Sequence, residues 1–98
     1  MKIVVFGGSG RLGSTLIPYL KSSGHNVYHN FIDKSTNFRV DLTEFVGVER
    51  VLNLYKPEII INLAAFTDVD QCEQKPILAY LVNVKIVENI VKWIKLNN

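Results

Sequence analysis

The chain has 98 residues, 48% of them hydrophobic and 20% charged. That balance belongs to a folded domain and excludes intrinsic disorder, and the length allows one domain with a modest core. A net charge of +2, with no Lys/Arg cluster and no interleaving of basic and aromatic residues, excludes nucleic acid as an expected partner. The single Cys72 excludes an internal disulfide and has no metal-ligand company. No apolar stretch has the length of a membrane span or the form of a secretory leader, so the expected setting is soluble, reducing and cytoplasmic, without membrane contact.

The first element is a strand over Lys2 to Phe6. It breaks into Gly7, Gly8, Gly10 and Gly13, and Leu12, Leu16, Ile17 and Leu20 then recur on one face of a helix. The glycines fit two registers of a dinucleotide-binding loop, Gly8-x-Gly10-x-x-Gly13 and the wider Gly7-x-x-Gly10-x-x-Gly13. Such a loop needs one residue at a backbone angle closed to side chains, one that lets a pyrophosphate touch main chain, and one that lets helix and strand pack closely. Free N–H groups at the helix start then face the phosphates, aided by the helix dipole. The position between strand and helix is the context this motif requires. Pro18 removes one backbone bond inside the helix and predicts a kink or irregular turn, and Ser23-Gly24 predicts a glycine C-cap.

Asn26 to Phe31 reads as a second strand, Asp33 to Asn37 as a polar loop and Phe38 to Val40 as a short third strand. Thr43 is the candidate N-cap of a helix whose apolar positions are Val46, Val51, Leu54 and Tyr55, ending at Pro57. Glu58 to Leu63 is a near-continuous β-branched run, as in a strand covered on both faces. Small residues follow it at Ala64 and Ala65, where open α/β sheets admit ligands. Asp68 to Lys75 reads as a polar turn, and a long helix starts at Pro76 and runs to about Leu96. Its polar stripe of Lys85, Glu88, Lys92 and Lys95 puts Asn83 on the opposite, buried face, where the amide is expected to tie helix to main chain. With right-handed crossovers these elements make an α/β, Rossmann-like three-layer fold. Its parallel sheet has about four strands in the order 3-2-1-4, one mononucleotide-binding half and the start of a second.

Other groups read as structural. Asp68, Asp70 and Glu73 make an exposed turn with too few oxygens for a hard cation, so no metal is expected. His25 and His29 are expected at the surface or a strand edge, Cys72 as a small buried side chain, and Trp93 between the last helix and the sheet.

The loop GGSGRLG, the DLT at 41 to 43, the run KPEIIINLAAFTDVDQCEQKP and Asn83-Val84 together resemble the dTDP-4-dehydrorhamnose reductase family of extended short-chain dehydrogenase/reductases. The resemblance covers essentially the whole chain, and 57 to 76 is its most specific part. It implies an NAD(P)-dependent oxidoreductase of dTDP-rhamnose biosynthesis. Gly7, Gly10, Arg11, Leu12 and Gly13 then lie at the pyrophosphate, Asp41 and Leu42 along the adenine, Ala64, Ala65 and Phe66 at the ribose, and Thr67 toward the reacting end.

The family's catalytic Ser/Thr and Tyr-x-x-x-Lys lie beyond a fifth strand. Tyr19, Tyr28, Tyr55 and Tyr80 each lack a lysine four residues on, so residues 1–98 are expected to bind cofactor without catalysing reduction, and a dTDP-sugar would be bound only by a full-length form. The acid that ends the second strand in NAD-preferring members is Phe31 here, or Asn30 in a register shifted by one, while Asp33 lies past the expected strand end. Lys34 and Arg39 either receive a 2′-phosphate, which favours NADP over NAD, or stand as solvated loop charges. The open apolar edge of the Glu58–Leu63 strand is expected to form a homodimer or to be covered by the last helix. An alternative in a different class is a non-catalytic nucleotide-binding subunit similar to the β-subunit of methionine adenosyltransferase.

Overall fold

The computed structural model describes residues 1–7, 11–30, 37–64 and 76–97, with backbone alone at 11 and 76–80. The expected turn at 68–75, with Asp68, Asp70, Cys72 and Glu73, lies outside the described residues. Among the described residues the elements are β1 (Lys2–Phe6), α1 (Arg11–Ser22), β2 (Asn26–His29), α2 (Phe45–Tyr55), β3 (Ile59–Asn62) and α3 (Pro76–Asn97).

β1 is the central strand. It pairs in parallel with β2, Ile3 opposite Val27 and Val5 opposite His29, and in parallel with β3, Ile3 opposite Ile59 and Phe6 opposite Asn62. The described sheet therefore runs β2-β1-β3. Strand alternation sends Ile3 and Val5 to one face, where Ile17 of α1 and Val27 cover them. Val4 and Phe6 go to the other face, against Val48, Val51 and Leu52 of α2 and Ile86 and Ile90 of α3. Val4, Val5 and Phe6 are fully buried, each worth about 1.5–3 kcal/mol of burial. The result is the expected three-layer α/β fold.

The segment at Phe38 to Val40 departs from expectation, for it is not a strand. Asn37 explains this. Its N–H donates to the His29 carbonyl at 3.0 Å, while its side-chain Oδ1, in place of a main-chain carbonyl, accepts from the His29 N–H at 2.9 Å. A side chain completes the pair, and no ladder propagates. Phe38 packs instead edge-on against Phe6, with ring centroids 5.9 Å apart. Tyr55 lies 5.6 Å from Phe38 and stacks on Tyr28 at 4.3 Å. His29 lies on the outer strand of the described sheet, in keeping with a strand-edge histidine, but it is buried, only 1% exposed, and is not at the surface.

The helices also refine the sequence reading. α1 runs unbroken through Pro18 and ends in a Schellman turn. There the His25 N–H reaches the Leu20 carbonyl and the Gly24 N–H the Lys21 carbonyl, with Gly24 at φ 88°. Leu12 is exposed at its start, whereas Ile17 is buried. Of the expected apolar positions of α2, Val51 is buried and Tyr55 packs against the core, while Val46 and Leu54 are 75% and 70% exposed and Val48 and Leu52 are buried in their place. Its N-cap is Glu44, without a side-chain cap. Thr43 does not cap it, because its N–H and hydroxyl both donate to the Asp41 carboxylate, at 3.0 and 2.6 Å. β3 is half-buried. Ile60 packs on one face and Ile61 on the other, but no strand borders its outer side among the described residues.

On α3 the stripe of Lys85, Glu88, Lys92 and Lys95 is exposed, as expected. The buried amide, however, is Asn89 and not Asn83, which is half-buried. Rotation of about 100° per residue puts the two on opposite flanks of Ile86, about 60° to either side. The Asn89 flank reaches the 37–42 segment, where its Nδ2 donates to the Leu42 carbonyl at 2.9 Å. Trp93 packs at the edge of the α2/α3 core and donates to Asn53 of α2 at 2.9 Å.

Candidate dinucleotide site

The three strands are parallel, so their carboxyl ends share one edge of the sheet. Phe6–Gly7, His29–Asn30 and Asn62–Ala64 meet there. The Leu63 N–H continues the β1–β3 ladder to the Phe6 carbonyl at 2.8 Å. The next residue, Gly7, leaves it with φ 75°. A Cβ at Gly7 would stand 2.4 Å from both the Cα and the N of Ala64, closer than non-bonded atoms allow. Gly7 is therefore required by angle and by space, and Ala64 forms the wall that enforces it. Ala64 is in turn held by its own N–H, which donates to Asn62 Oδ1 at 3.0 Å.

The Gly7 N–H donates to Asn30 Oδ1 at 2.7 Å. Because a backbone N–H only donates, the amide atom facing it is the oxygen. The first residue of the glycine loop is thus gripped from β2 through Asn30 and pressed from β3 through Ala64.

Of the sequence-predicted site residues, Gly7 and Ala64 are brought together here. Arg11 opens α1, Gly13 is buried in its first turn and Leu12 is 61% exposed beside it. Asp41 is exposed, and the two bonds from Thr43 hold its carboxyl below the ordinary carboxylate range. The Leu42 side chain is buried in the α2/α3 core, and its carbonyl accepts from Asn89. Gly8, Gly10, Phe31, Asp33, Lys34, Ala65, Phe66 and Thr67 lie outside the described residues. Arg39 is exposed, its carbonyl accepting from Arg50 Nη2 at 3.3 Å. Among the described residues no group of three His, Cys, Asp or Glu is placed to hold a metal ion, and no helix is long and apolar enough to cross a membrane.

Sequence reasoning passed over Asn62 and Asn89, and it treated Asn30 only as a stand-in for a missing acid. A polar residue closing the apolar strand β3 was the available signal for Asn62, and Asn30, just past the end of β2, offered only its place at the carboxyl edge of the sheet.

A parallel sheet between helical layers, with an obligatory glycine at the bend from the central strand to the first helix, defines a Rossmann-like α/β protein of the nucleotide-binding class. A family model described as the RmlD substrate binding domain matches residues 1–98, and the chain belongs to that family. It is 36% identical over 92 residues to dTDP-4-dehydrorhamnose reductase of Escherichia coli K12, covering 94% of this chain and 30% of the relative. A hypothetical dTDP-4-dehydrorhamnose reductase from Sulfolobus tokodaii superimposes with a TM-score of 0.82 at 36% identity, over 98% of this chain and 36% of that one. The reductase from Bacillus anthracis, crystallised in complex with NADP, superimposes with a TM-score of 0.74 at 32% identity, over 91% and 30%. The resemblance to the dehydrorhamnose reductases therefore holds in sequence and in fold. The chain spans 27–30% of the length of the curated relatives it matches.

Proposed function

We propose that residues 1–98 are the NAD(P)(H)-binding, N-terminal part of a dTDP-4-dehydrorhamnose reductase, the whole of which reduces the 4-keto sugar of dTDP-4-dehydrorhamnose to give dTDP-rhamnose in the cytoplasm. The observation that carries this reading is Gly7, held at positive φ between the ends of β2 and β3 at the mouth of α1. Gly7, Gly10, Arg11, Leu12 and Gly13 are the residues assigned to the pyrophosphate. Asp41 and Leu42 are assigned to the adenine, and Ala64, Ala65, Phe66 and Thr67 to the path toward the nicotinamide. The cofactor, when bound, supplies the hydride. NADP(H) is the preferred form, with NAD(H) as the weaker one.

The proton for the new hydroxyl needs a tyrosine acidified by a nearby lysine, and no Tyr-x-x-x-Lys occurs in these 98 residues. On its own the chain binds cofactor without turnover. A fluorescence titration with NADPH tests the first half: an unchanged emission at millimolar cofactor would refute it. Turnover of the dTDP-keto sugar by the pure chain would refute the second.

The outer side of β3, beside the groove lined by Ile60, Trp93 and Ile94, is the proposed homodimer contact, because an apolar strand edge is a template for pairing. Light scattering at micromolar concentration checks this, and a monomer throughout that range would exclude it.

A further inference from the structure

We infer that Asn30 and Asn62 are a pair of positioning residues, one at each flank of β1, that set the bend at Gly7 before any cofactor arrives and through that bend serve the binding of its diphosphate. The inference rests on the dinucleotide-binding reading above and deepens it by naming what holds the loop ready.

Both asparagines act where the regular ladder gives way. The Leu63 N–H still makes a main-chain rung, to the Phe6 carbonyl at 2.8 Å. The next N–H on each of these two strands is met by a side chain instead. That of Gly7 donates to Asn30 Oδ1 at 2.7 Å, and that of Ala64 donates to Asn62 Oδ1 at 3.0 Å. A backbone N–H that leaves a ladder needs another acceptor, and each amide supplies one from a fixed place at the end of a strand. The two bonds act on one contact. A Cβ at Gly7 would stand 2.4 Å from Ala64 N and Cα, so Gly7 lies directly against the main chain that Asn62 holds, while Asn30 holds its N–H from the β2 side. The bend, at φ 75°, is thus confined from both flanks. Only residues 8–10 separate Gly7 from the start of α1 at Arg11, so this bend sets the direction in which the chain leaves the sheet for the mouth of the helix. The Gly7 N–H, engaged by Asn30, is not a donor for the diphosphate, and Gly7 contributes by the path it gives the chain. A bend held in advance loses no conformational freedom when the ligand arrives, and the difference appears as affinity.

The test uses ADP-ribose, which carries a diphosphate, and adenosine, which carries none; both have a free 2′-hydroxyl. Each is titrated by NMR, to millimolar concentration, into the unaltered chain, Asn30→Ala, Asn62→Ala and the double variant. Loss of one neutral hydrogen bond that orders the bend is expected to weaken ADP-ribose about fivefold in either single variant, with adenosine within about twofold. The double variant is expected to lose little more than the larger single loss, because either deletion already frees the same bend. Amide exchange at Gly7 is expected to quicken in Asn62→Ala although the Asn62 bond is to Ala64, a readout that a purely local role for Asn62 leaves unmoved. Asn30→Asp, which keeps an acceptor oxygen, is expected to keep Gly7 exchange slow. ADP-ribose affinity in Asn30→Ala that is tighter, or within about twofold of the unaltered chain, would overturn the inference. An equal loss for adenosine would overturn it too, by making Asn30 a ribose contact. Losses that multiply in the double variant, or unmoved Gly7 exchange in Asn62→Ala, would overturn the pairing. If the alanine variants do not fold, rapid Gly7 exchange in Asn30→Asp overturns it in their place. ADP-ribose that fails to bind the unaltered chain would instead overturn the dinucleotide reading, and this inference with it.

Discussion

Replacing Gly7 by alanine tests the geometry on which the site depends. Two costs add. An L-residue at φ 75° sits in the left-handed region at about 1 kcal/mol. The new methyl also meets Ala64 Cα and N at 2.4 Å and Ala64 Cβ at 2.8 Å, about 1 Å inside ordinary contact. Backbone atoms cannot rotate away as a flexible side chain would, so the bend or the end of β3 must shift. Overpacking of that kind costs about 1–3 kcal/mol. A shift at Gly7 also strains the 2.7 Å bond to Asn30, whose loss adds about 1 kcal/mol. The sum is about 3–5 kcal/mol, against a total stability of about 5–15 kcal/mol for a chain of this size. Urea denaturation monitored by circular dichroism is the assay, with NADPH titration on the remaining folded fraction. A Gly7→Ala protein within about 0.5 kcal/mol of the parent, with an unchanged denaturant slope, would refute the close approach of β1 and β3 at this bend.

Three further outcomes follow from the described contacts. Asn89→Leu leaves the Leu42 carbonyl without its 2.9 Å donor and is expected to cost about 1–3 kcal/mol in urea denaturation; a loss below about 0.5 kcal/mol would remove Asn89 as the tie between α3 and the 37–42 segment. Leu54→Lys, at a 70% exposed position, is expected to stay within about 0.5 kcal/mol of the parent, whereas Leu52→Ala, fully buried on the opposite face of the helix, is expected to cost about 2–5 kcal/mol; the reverse ranking would put the Val46 and Leu54 face against the core. The Asp41 carboxyl is lowered chiefly by the Thr43 hydroxyl and next by the Thr43 N–H, so its bonds stabilise the fold fully above the ordinary carboxylate range and fade as pH falls through the lowered folded value. Thr43→Ala removes the larger cause, so an NMR titration of Asp41 is expected to move upward in pH; an unmoved midpoint would refute the assignment.

The strand–glycine–helix opening was legible because three signals coincide there: an apolar run, glycines at loop spacing and a 3.6-residue period. The same holds for the α1 cap, where Ser23-Gly24 writes its own backbone angle. What escaped was decided by tertiary partners. Val46 and Leu54 sit as well on a helical period as Val48 and Leu52 do, and only the position of the sheet chooses between the two faces. Asn83 and Asn89 flank one buried stripe symmetrically, and the 37–42 segment breaks the tie. Thr43 has a good cap residue's chemistry, but Asp41, two residues earlier, competes for its hydroxyl. At the candidate site, spacing left Gly7 and Gly8 as alternatives for the first glycine, and it was the family resemblance that pointed to Gly7. Asn30's grip on it was not legible, since no local pattern reports a bond across 23 residues.

Asn37 bears on how this sheet can be extended. By offering His29 a main-chain donor and a side-chain acceptor at once, it occupies the outward main-chain groups at the carboxyl end of β2, where an incoming peptide would find them already taken. Among the described residues the carboxyl end of β2 is thus capped at His29 and the edge of β3 is not, so the two flanks of the sheet offer a new strand unequal starting points.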